Sequence, residues 1–582
     1  MSEELVMKQR HTLSHIMAAA IKQVYSGTTT LQFGVGPAID NGFYYDIDFG
    51  GVKVSDEDLK KIEKAMCKII AQKLPMVYSE KSRKDALKWA EENGQKFKAE
   101  LINDLPEDET ISFYTLGDFE DLCKGPHVED TGKVGAFKLE KVAGAYWRGD
   151  EKREMLTRIY GLAFETQEEF DAYIKKQEEA KARDHRKLGK ELDLFCFSDL
   201  VGSGLPMFTP RGTILRNVLN EFAQSYRVKR GYQKVCIPHI ALVDLYKTSG
   251  HYEKFPEMLQ FTSQESGDHL ALKPVNCPHH SQIYASQPRS YKDLPIKYLE
   301  TTMVYRDERK GELGGLSRVR AITQDDSHVF CTEGQIGDIF GELIESAQDL
   351  YQRIGMDLKL RLSFRDDGDG YTGTPEMWEK AQSAIQAMAD KYKIDYFIGI
   401  GEAAMYGPKM DFMATDALGR EWQVATVQLD YATPTRFGLE YTEADGSKKT
   451  PVMVHCALVG SIERFMSVLI EHTAGWFPFW MAPEQLRILT VNDSVNEYVE
   501  KIKGELADFE LDIPIEHNKL RMTVDDRNES LGKKIREATK MKIPCVLIVG
   551  PKDVEAGEVS VRLRDSEEKV KLADLKEFLK KR

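Results

Sequence analysis

Residues 165–190, ETQEEFDAYIKKQEEAKARDHRKLGK, are rich in helix formers yet polar on nearly every side. A helix without an apolar stripe bridges domains and does not enter a core. The segment therefore forces the apolar residues before and after it into separate cores. We predict a linker helix over 163–190, with one module at 1–162 and the remaining chain beyond it. At 582 residues the chain has room for three or four domains.

Hydrophobic residues at 42% suit globular cores and argue against disorder. The eight cysteines are scattered without a framework, which favours a reducing compartment. The start, MSEELVMKQR, lacks both an apolar signal segment and an Arg/Ser-rich presequence. No run of about 18 apolar residues could span a membrane. The expected location is the cytoplasm, with no membrane partner. A net charge of −14 argues weakly against a polyanionic partner. Residues 485–582, however, carry 20 Lys+Arg against 20 Asp+Glu, so the whole excess lies upstream. Within that neutral tail Lys519, Arg521, Arg527, Lys533, Lys534, Arg536, Lys540 and Lys542 cluster. Such a cluster is either a solvated helix face or an RNA contact.

The first module reads as α+β, opening on an amphipathic helix near residues 8–25. Residues 191–483 mix short β-rich runs, 394–399 and 423–429 among them, with helical stretches such as 217–229. From 484 to 582 the pattern becomes strand 488–491, helix 495–507, strand 513–515, helix 530–540 and buried strand 543–550. That alternation predicts a small, mostly parallel α/β domain.

Several residues carry chemistry. His11 and His15 lie one helical turn apart on one face, and Cys123 and His127 repeat that spacing later. HxxxH with CxxxH is a zinc-like pattern on ligand chemistry alone. In residues 305–330, YRDERKGELGGLSRVRAITQDDSHVF, Arg306 and Arg318 flank a loop before a strand-like run. Guanidinium groups grip phosphate bidentately and stay charged, which suits a nucleotide site. Residues 460–465, GSIERF, read as a strand-to-helix junction. Cys277, His328 and His455 stand 51 and 127 residues apart, which is no metal signature by itself.

In order along the chain, the helix 217–229 with 231–235 and Pro238, the stretch 305–330 and the junction 460–465 resemble motifs 1, 2 and 3 of the class II aminoacyl-tRNA synthetases. Asn276-Cys277-Pro278, His328 and His455 resemble the zinc ligands of the threonyl-tRNA synthetases. The N-terminal cluster, with residues 41–46 and 144–150, resembles the editing domain shared by threonyl and alanyl enzymes. The resemblance is to the bacterial type and runs from His11 to the C-terminus. It implies an α+β multidomain chain with four parts. These are an editing domain at 1–162, a linker at 163–190, a class II antiparallel sheet core with helices at 191–483, and an α/β anticodon-binding domain at 484–582.

It further implies a homodimeric threonine–tRNA ligase using ATP with Mg²⁺, threonine, tRNA(Thr) and one zinc per chain. Arg306 and Arg464 would neutralise phosphate, and His251 would relay a proton in transfer. Glu308, Arg318, Gln423 and Thr426 would bind ATP, while Gln324, Asp326, Tyr406 and Gln428 would contact threonine. Cys277, His328 and His455 would hold zinc, leaving one position for substrate. Zinc reading of amine and hydroxyl rejects valine but admits serine, so proofreading follows. His11, His15, Asp121, Cys123 and His127 would hydrolyse seryl-tRNA; a structural zinc quartet is the alternative reading. Arg527, Glu529, Arg536 and Glu555 fall in the region that meets the anticodon.

Three departures stand out. Many relatives carry a ubiquitin-like domain before the editing module, whereas this chain starts almost directly at it. Ile322 replaces the phenylalanine that stacks on adenine. His279 follows Cys277-Pro278, where it would crowd or supplement the metal. A non-catalytic synthetase-like paralogue would be expected to lose the arginines or ligands present here. Prolyl and seryl enzymes lack this zinc set with an N-terminal HxxxH, and alanyl enzymes place the editing module after the core.

Overall fold

The computed structural model describes residues 3–27, 31–255, 258–392, 394–516 and 518–582. The chain divides into two compact units, Met1–Glu178 and Glu179–Arg582. Among the described residues no helix is long and apolar enough to cross a membrane.

In the first unit, helix Glu3–Val24 buries every residue from Thr12 to Ile21. Leu13, Ile16 and Met17 share a core with Phe43, Tyr45 and Ile47 of strand Gly42–Asp48. That strand lies in an antiparallel sheet between Gln32–Phe33 and Met155–Phe164, with Ala136–Tyr146 on the far side. A smaller sheet, Val77–Lys81, Ile111–Leu116 and Phe119–Leu122, carries Asp121 and leads directly to Cys123.

The second unit is built on an eight-stranded sheet. Its order is Gln233–Lys234, Ile296–Tyr305, Ala321–Cys331, Val452–Ala457, Glu421–Asp430, Lys409–Thr415, Leu358–Phe364 and Tyr396–Ile400. Pairing is antiparallel except at the two ends. Helices Pro210–Val228, Ile336–Ile354 and Ile462–Thr473 contribute Phe222, Phe340 and Phe465 to its core. Successive strand residues face opposite ways. In Ala321–Cys331, Thr323, Asp325 and Ser327 therefore turn toward the helices, and Gln324, Asp326 and His328 turn toward the clefts described below.

Beyond it, Met522–Asp525, Leu486–Thr490, Cys545–Val549, Glu558–Arg562 and Glu567–Lys571 form a five-stranded sheet. Its first two pairings are parallel and its last two antiparallel, so the expected mostly parallel sheet is half so. Residues 513–515 are not a strand. Pro514 has no N–H for a ladder, and Ile513 and Ile515 N–H instead close tight turns on Leu511 and Ile513 carbonyls. The parallel edge strand is Met522–Asp525.

The polar segment 165–190 also departs from expectation. It is two helices, Gln167–Arg183 and His185–Glu191, broken at Asp184, whose carboxylate caps the second by accepting the Arg186 N–H at 2.8 Å. After the break, Leu188 enters the core with Leu192 and Leu215. Averaging polarity over the whole segment hides that short apolar edge.

Candidate active site

Antiparallel register converts distant sequence positions into neighbours. His328 pairs with His455, His455 with Gln428, and Gln428 with Lys409, making one row across four strands. Cys277 joins the row from the N-terminus of helix Cys277–Ala285. The ligand atoms of Cys277, His328 and His455 all lie within 4.8 Å of one another, and all three residues are buried.

Hydrogen bonds fix the tautomers. His455 Nε2–H donates to Asp430 Oδ2 at 2.9 Å, leaving Nδ1 as a lone pair. Glu300 accepts from His280 Nε2 at 3.3 Å, so His280 Nδ1 accepts from His328 Nδ1–H at 2.8 Å. His328 Nε2 is thereby a lone pair too, 3.0 Å from His455 Nδ1. Two lone pairs and a thiol converging in a buried space fit a cation, and outer partners of this kind orient metal-ligating imidazoles. Burial pushes the Cys277 thiol well up; metal binding would require its proton to leave. His279 is outside this cluster, its ring beside Tyr246. His280, the next residue, is the one that reaches the ligands, and no spacing rule flagged it.

A pocket of 450 Å³ opens on this cluster, with Asp326, Tyr406 and His251 in its wall. The Tyr406 ring stacks on His455 at 4.6 Å, and its hydroxyl donates to Gln428. Asn276 Nδ2–H donates to Asp326 Oδ2 at 3.0 Å, and burial raises the Asp326 pKa, improving it as a proton acceptor. His251 is buried. Its Nδ1–H donates to Ser249 Oγ at 2.8 Å, its Nε2 lies 3.8 Å from Cys277 Sγ, and burial lowers its pKa to about 4.

A larger cleft of 740 Å³ adjoins it, lined by Glu308, Arg318, Ile322, Gln423, Trp422 and Arg464 among others. Arg318 donates to Glu308 at 2.7 Å and lies 3.0 Å from Glu312. The Arg464 guanidinium sits 5.9 Å above Trp422. Ile322 supplies an aliphatic wall. Buried Asp411 accepts from Thr426 Oγ1 at 2.8 Å and from Gln423 Nε2 at 2.7 Å, fixing both. Arg306, Gln324, Thr426 and Gln428 line the cleft and the pocket alike. The two spaces meet at Arg306.

In the first unit His11, His15, Cys123 and His127 also form one cluster. His11 Nδ1–H donates to the Pro126 carbonyl at 3.3 Å, so its Nε2 lone pair faces Cys123 Sγ, also at 3.3 Å. Thr12 Oγ1 donates to the Lys8 carbonyl at 2.8 Å and accepts from His127 Nδ1–H at 3.2 Å. That turns His127 Nε2 toward the same sulfur, 3.2 Å away. Burial holds these imidazoles neutral and pushes the Cys123 thiol up to about 12. Asp121 lies 3.8 Å from His15 and binds buried Lys98 at 2.6 Å and the Tyr45 hydroxyl. Sequence reading missed Lys98. Its signal was a lysine one turn before Ile102 on the buried face of helix Lys96–Asp104.

The basic cluster of the tail divides. Lys534 is buried and donates to the Thr490 and Asp525 carbonyls, and Arg521 donates to the Ala482 and Trp480 carbonyls. Both bond to backbone carbonyls and hold the fold together. Arg527 is exposed but paired with Asp525 and Glu537, and Glu529 with Lys533; Arg536 and Glu555 are exposed.

An antiparallel sheet with an arginine-lined cleft between a loop-bearing hairpin and a strand-to-helix junction defines a class II aminoacyl-tRNA synthetase core. Residues 259–473 match the family "tRNA synthetase class II core domain (G, H, P, S and T)". Residues 485–582 match "Anticodon binding domain", and 111–160 match "Threonyl and Alanyl tRNA synthetase second additional domain". The threonine–tRNA ligase of Gloeobacter violaceus is 49% identical over 578 residues, 98% of this chain and 90% of that one. That of Bacteroides fragilis is 47% identical over 557 residues, 95% of this chain and 84% of the relative. Among solved structures, the RNA binding domain of threonyl-tRNA synthetase from Cryptosporidium parvum superposes with a TM-score of 0.63 at 34% identity. It covers 68% of this chain and 98% of that one. The chain belongs to the threonine–tRNA ligase family, the threonyl-tRNA synthetases, and is an aminoacyl-tRNA ligase whose additional domain supports an editing role.

Proposed function

We propose that the chain joins threonine to tRNA(Thr) in two steps and removes serine joined in error. The observation that carries this reading is the shared wall of Arg306, Gln324, Thr426 and Gln428. An amino acid in the smaller pocket and ATP in the larger cleft bring carboxylate and α-phosphate together there. The carboxylate oxygen attacks the α-phosphorus, the bond to the β-phosphate oxygen breaks, and pyrophosphate leaves. Positioning and charge stabilisation carry such a transfer. Arg306 neutralises the α-phosphate, Glu308 and Arg318 orient ATP, which enters with Mg²⁺, and Arg464 clamps the γ end.

Zinc held by Cys277, His328 and His455 would supply an open position for the amine and hydroxyl of threonine. Asp326 accepts the hydroxyl proton, and Tyr406, Gln324 and Gln428 hold the amino acid. In the second step a terminal ribose hydroxyl of tRNA attacks the carbonyl carbon of the adenylate, the bond from that carbon to the phosphate oxygen breaks, AMP leaves, and His251 relays the hydroxyl proton. In the N-terminal cluster His11, His15, Cys123 and His127, oriented by Asp121, hydrolyse the seryl ester. The reading assigns editing to 1–162, linkage to 163–190, catalysis to 191–483 and anticodon binding to 484–582, in a cytoplasmic homodimer. Arg527, Glu529, Arg536 and Glu555 are the anticodon candidates.

The test is amino-acid-dependent ATP–pyrophosphate exchange by the purified protein. Exchange with threonine far above valine supports the reading; exchange indifferent to the amino acid overturns it. Sedimentation at micromolar concentration tests the dimer.

A further inference from the structure

Asp184, His185 and Glu471 bring three ligand-type side chains together outside the site already described. Their bonding rules out a cation. The Leu316 backbone N–H can only donate, and it lies 3.0 Å from His185 Nε2. The lone pair is therefore on Nε2, and the proton on Nδ1 goes to Glu471 Oε1 at 2.6 Å. The same oxygen accepts the His185 N–H at 3.1 Å, and Glu471 Oε2 accepts from Arg420 at 2.5 Å. Asp184 is taken by Arg186. No ring nitrogen is left for a metal.

What the imidazole touches is more informative. Leu316 is the buried residue of the loop between Gly314 and Arg318, whose backbones pair across it. The loop lies directly on the ring. Gly315 has φ +57°, and a Cβ there would fall 2.2 Å from His185 Nε2. Glu308, Glu312 and Arg318 of this hairpin line one wall of the 740 Å³ cleft. Glu471 stands two turns from Arg464 on helix Ile462–Thr473, and residues so spaced share a face. Its partner Arg420 packs 5.3 Å from the Trp422 ring, over which Arg464 also sits. A single buried histidine thus ties the loop that lines the cleft to the helix whose Arg464 also lines it.

We propose that His185 is a positioning residue for ATP, holding the loop of Arg318 in register with Arg464 through its Nε2 lone pair. The proposal rests on the reading of the larger cleft as the ATP site. His185 touches neither substrate; it acts through the Leu316 amide.

Two substitutions in the full-length protein separate its two bonds. In H185Q the longer side chain keeps an acceptor near the Nε2 position. In H185N the amide keeps a donor for Glu471 but falls short of Leu316. In threonine-dependent exchange, H185N should raise KM for ATP about ten-fold, the factor one neutral buried hydrogen bond accounts for, with KM for threonine little changed. H185Q should restore most of the loss, which a merely structural role would not predict. Amide exchange at Leu316, followed by mass spectrometry, should accelerate in H185N and stay slow in H185Q. This readout does not depend on what the cleft binds. A protected Leu316 amide in H185N, or equal ATP effects in both variants, overturns the proposal. Failure of exchange in the parent with a protected Leu316 amide would sink the ATP reading alone. Should H185N not fold, Gly315→Ala drives a methyl into the ring and should raise KM for ATP alone; an unchanged KM there overturns the proposal as well.

Discussion

Arg227 and Asp325 form an ion pair with no solvent exposure on either side chain. Asp325 Oδ2 also accepts the N–H groups of Leu458 and Val459, at 3.0 and 3.1 Å. One carboxylate therefore joins the helix Pro210–Val228, the strand Ala321–Cys331 and the turn leading to Arg464. Removing one partner of a buried pair leaves an uncompensated charge, so Asp325→Asn should cost about 3–5 kcal/mol. Urea unfolding would measure it. The double replacement Arg227→Met with Asp325→Leu should cost less than the Asn variant, since no charge is left behind.

The converging lone pairs of His328 and His455 predict about one zinc per chain, as a three-ligand site with an open position implies. Cys277→Ala should lose the zinc and threonine activation together; full metal content by elemental analysis would refute the ligand set. Asp430→Asn, which weakens the partner of His455, should lower zinc affinity by about 10–100-fold in chelator competition.

Arg306 sits where cleft and pocket meet. Arg306→Ala should cut the rate of adenylate formation by about 10²–10³ while changing threonine binding little, because charge stabilisation acts on the transition state. Lysine in its place should recover little, since a point charge lacks the bidentate fork. Single-turnover formation of threonyl-adenylate gives the answer.

The two ends of the molecule should be separable. His11→Ala with His15→Ala should preserve threonylation and let seryl-tRNA accumulate. Lys98→Met, which removes the cation held by Asp121, should act in the same direction. Deacylation of Ser-tRNA at the parental rate in the double variant would return the quartet to a structural role.

The N-terminal unit should be acid-labile. Burial lowers the pKa values of His11, His15 and His127 below the ordinary 6.5. Between those values and 6.5 the unfolded chain binds protons that the folded one refuses. The stability held by neutral imidazoles is therefore complete above about pH 6.5 and declines as pH falls below it, by up to about 1.4 kcal/mol per pH unit per group. Hydrogen exchange of strand Gly42–Asp48, corrected for intrinsic rates, should accelerate from pH 7 to 5. A flat corrected rate would contradict it.

Sequence alone determined what local chemistry determines. The helical spacing of His11 and His15, the arginines around residues 305–330 and the strand–helix alternation of the tail are short-range patterns; by themselves they mark a zinc-like pattern, a phosphate-type site and an α/β tail, and the resemblance to class II synthetases supplied the roles. Tertiary structure decided the rest, because register and burial are long-range. The row His328–His455–Gln428 exists only through antiparallel pairing, and no separation of 127 or 27 residues encodes it. The alternation in residues 323–328 sends Asp325 to Arg227 and Asp326 to the pocket, two identical neighbours with unrelated tasks. Lys534 and Arg521 belong to a cluster whose sequence leaves open a solvated helix face or an RNA contact, and in space both donate to backbone carbonyls. His185 lay in a segment too polar on average to suggest a core. Only the packed fold places its lone pair under the Leu316 amide, because a buried backbone donor must find an acceptor wherever the chain brings one.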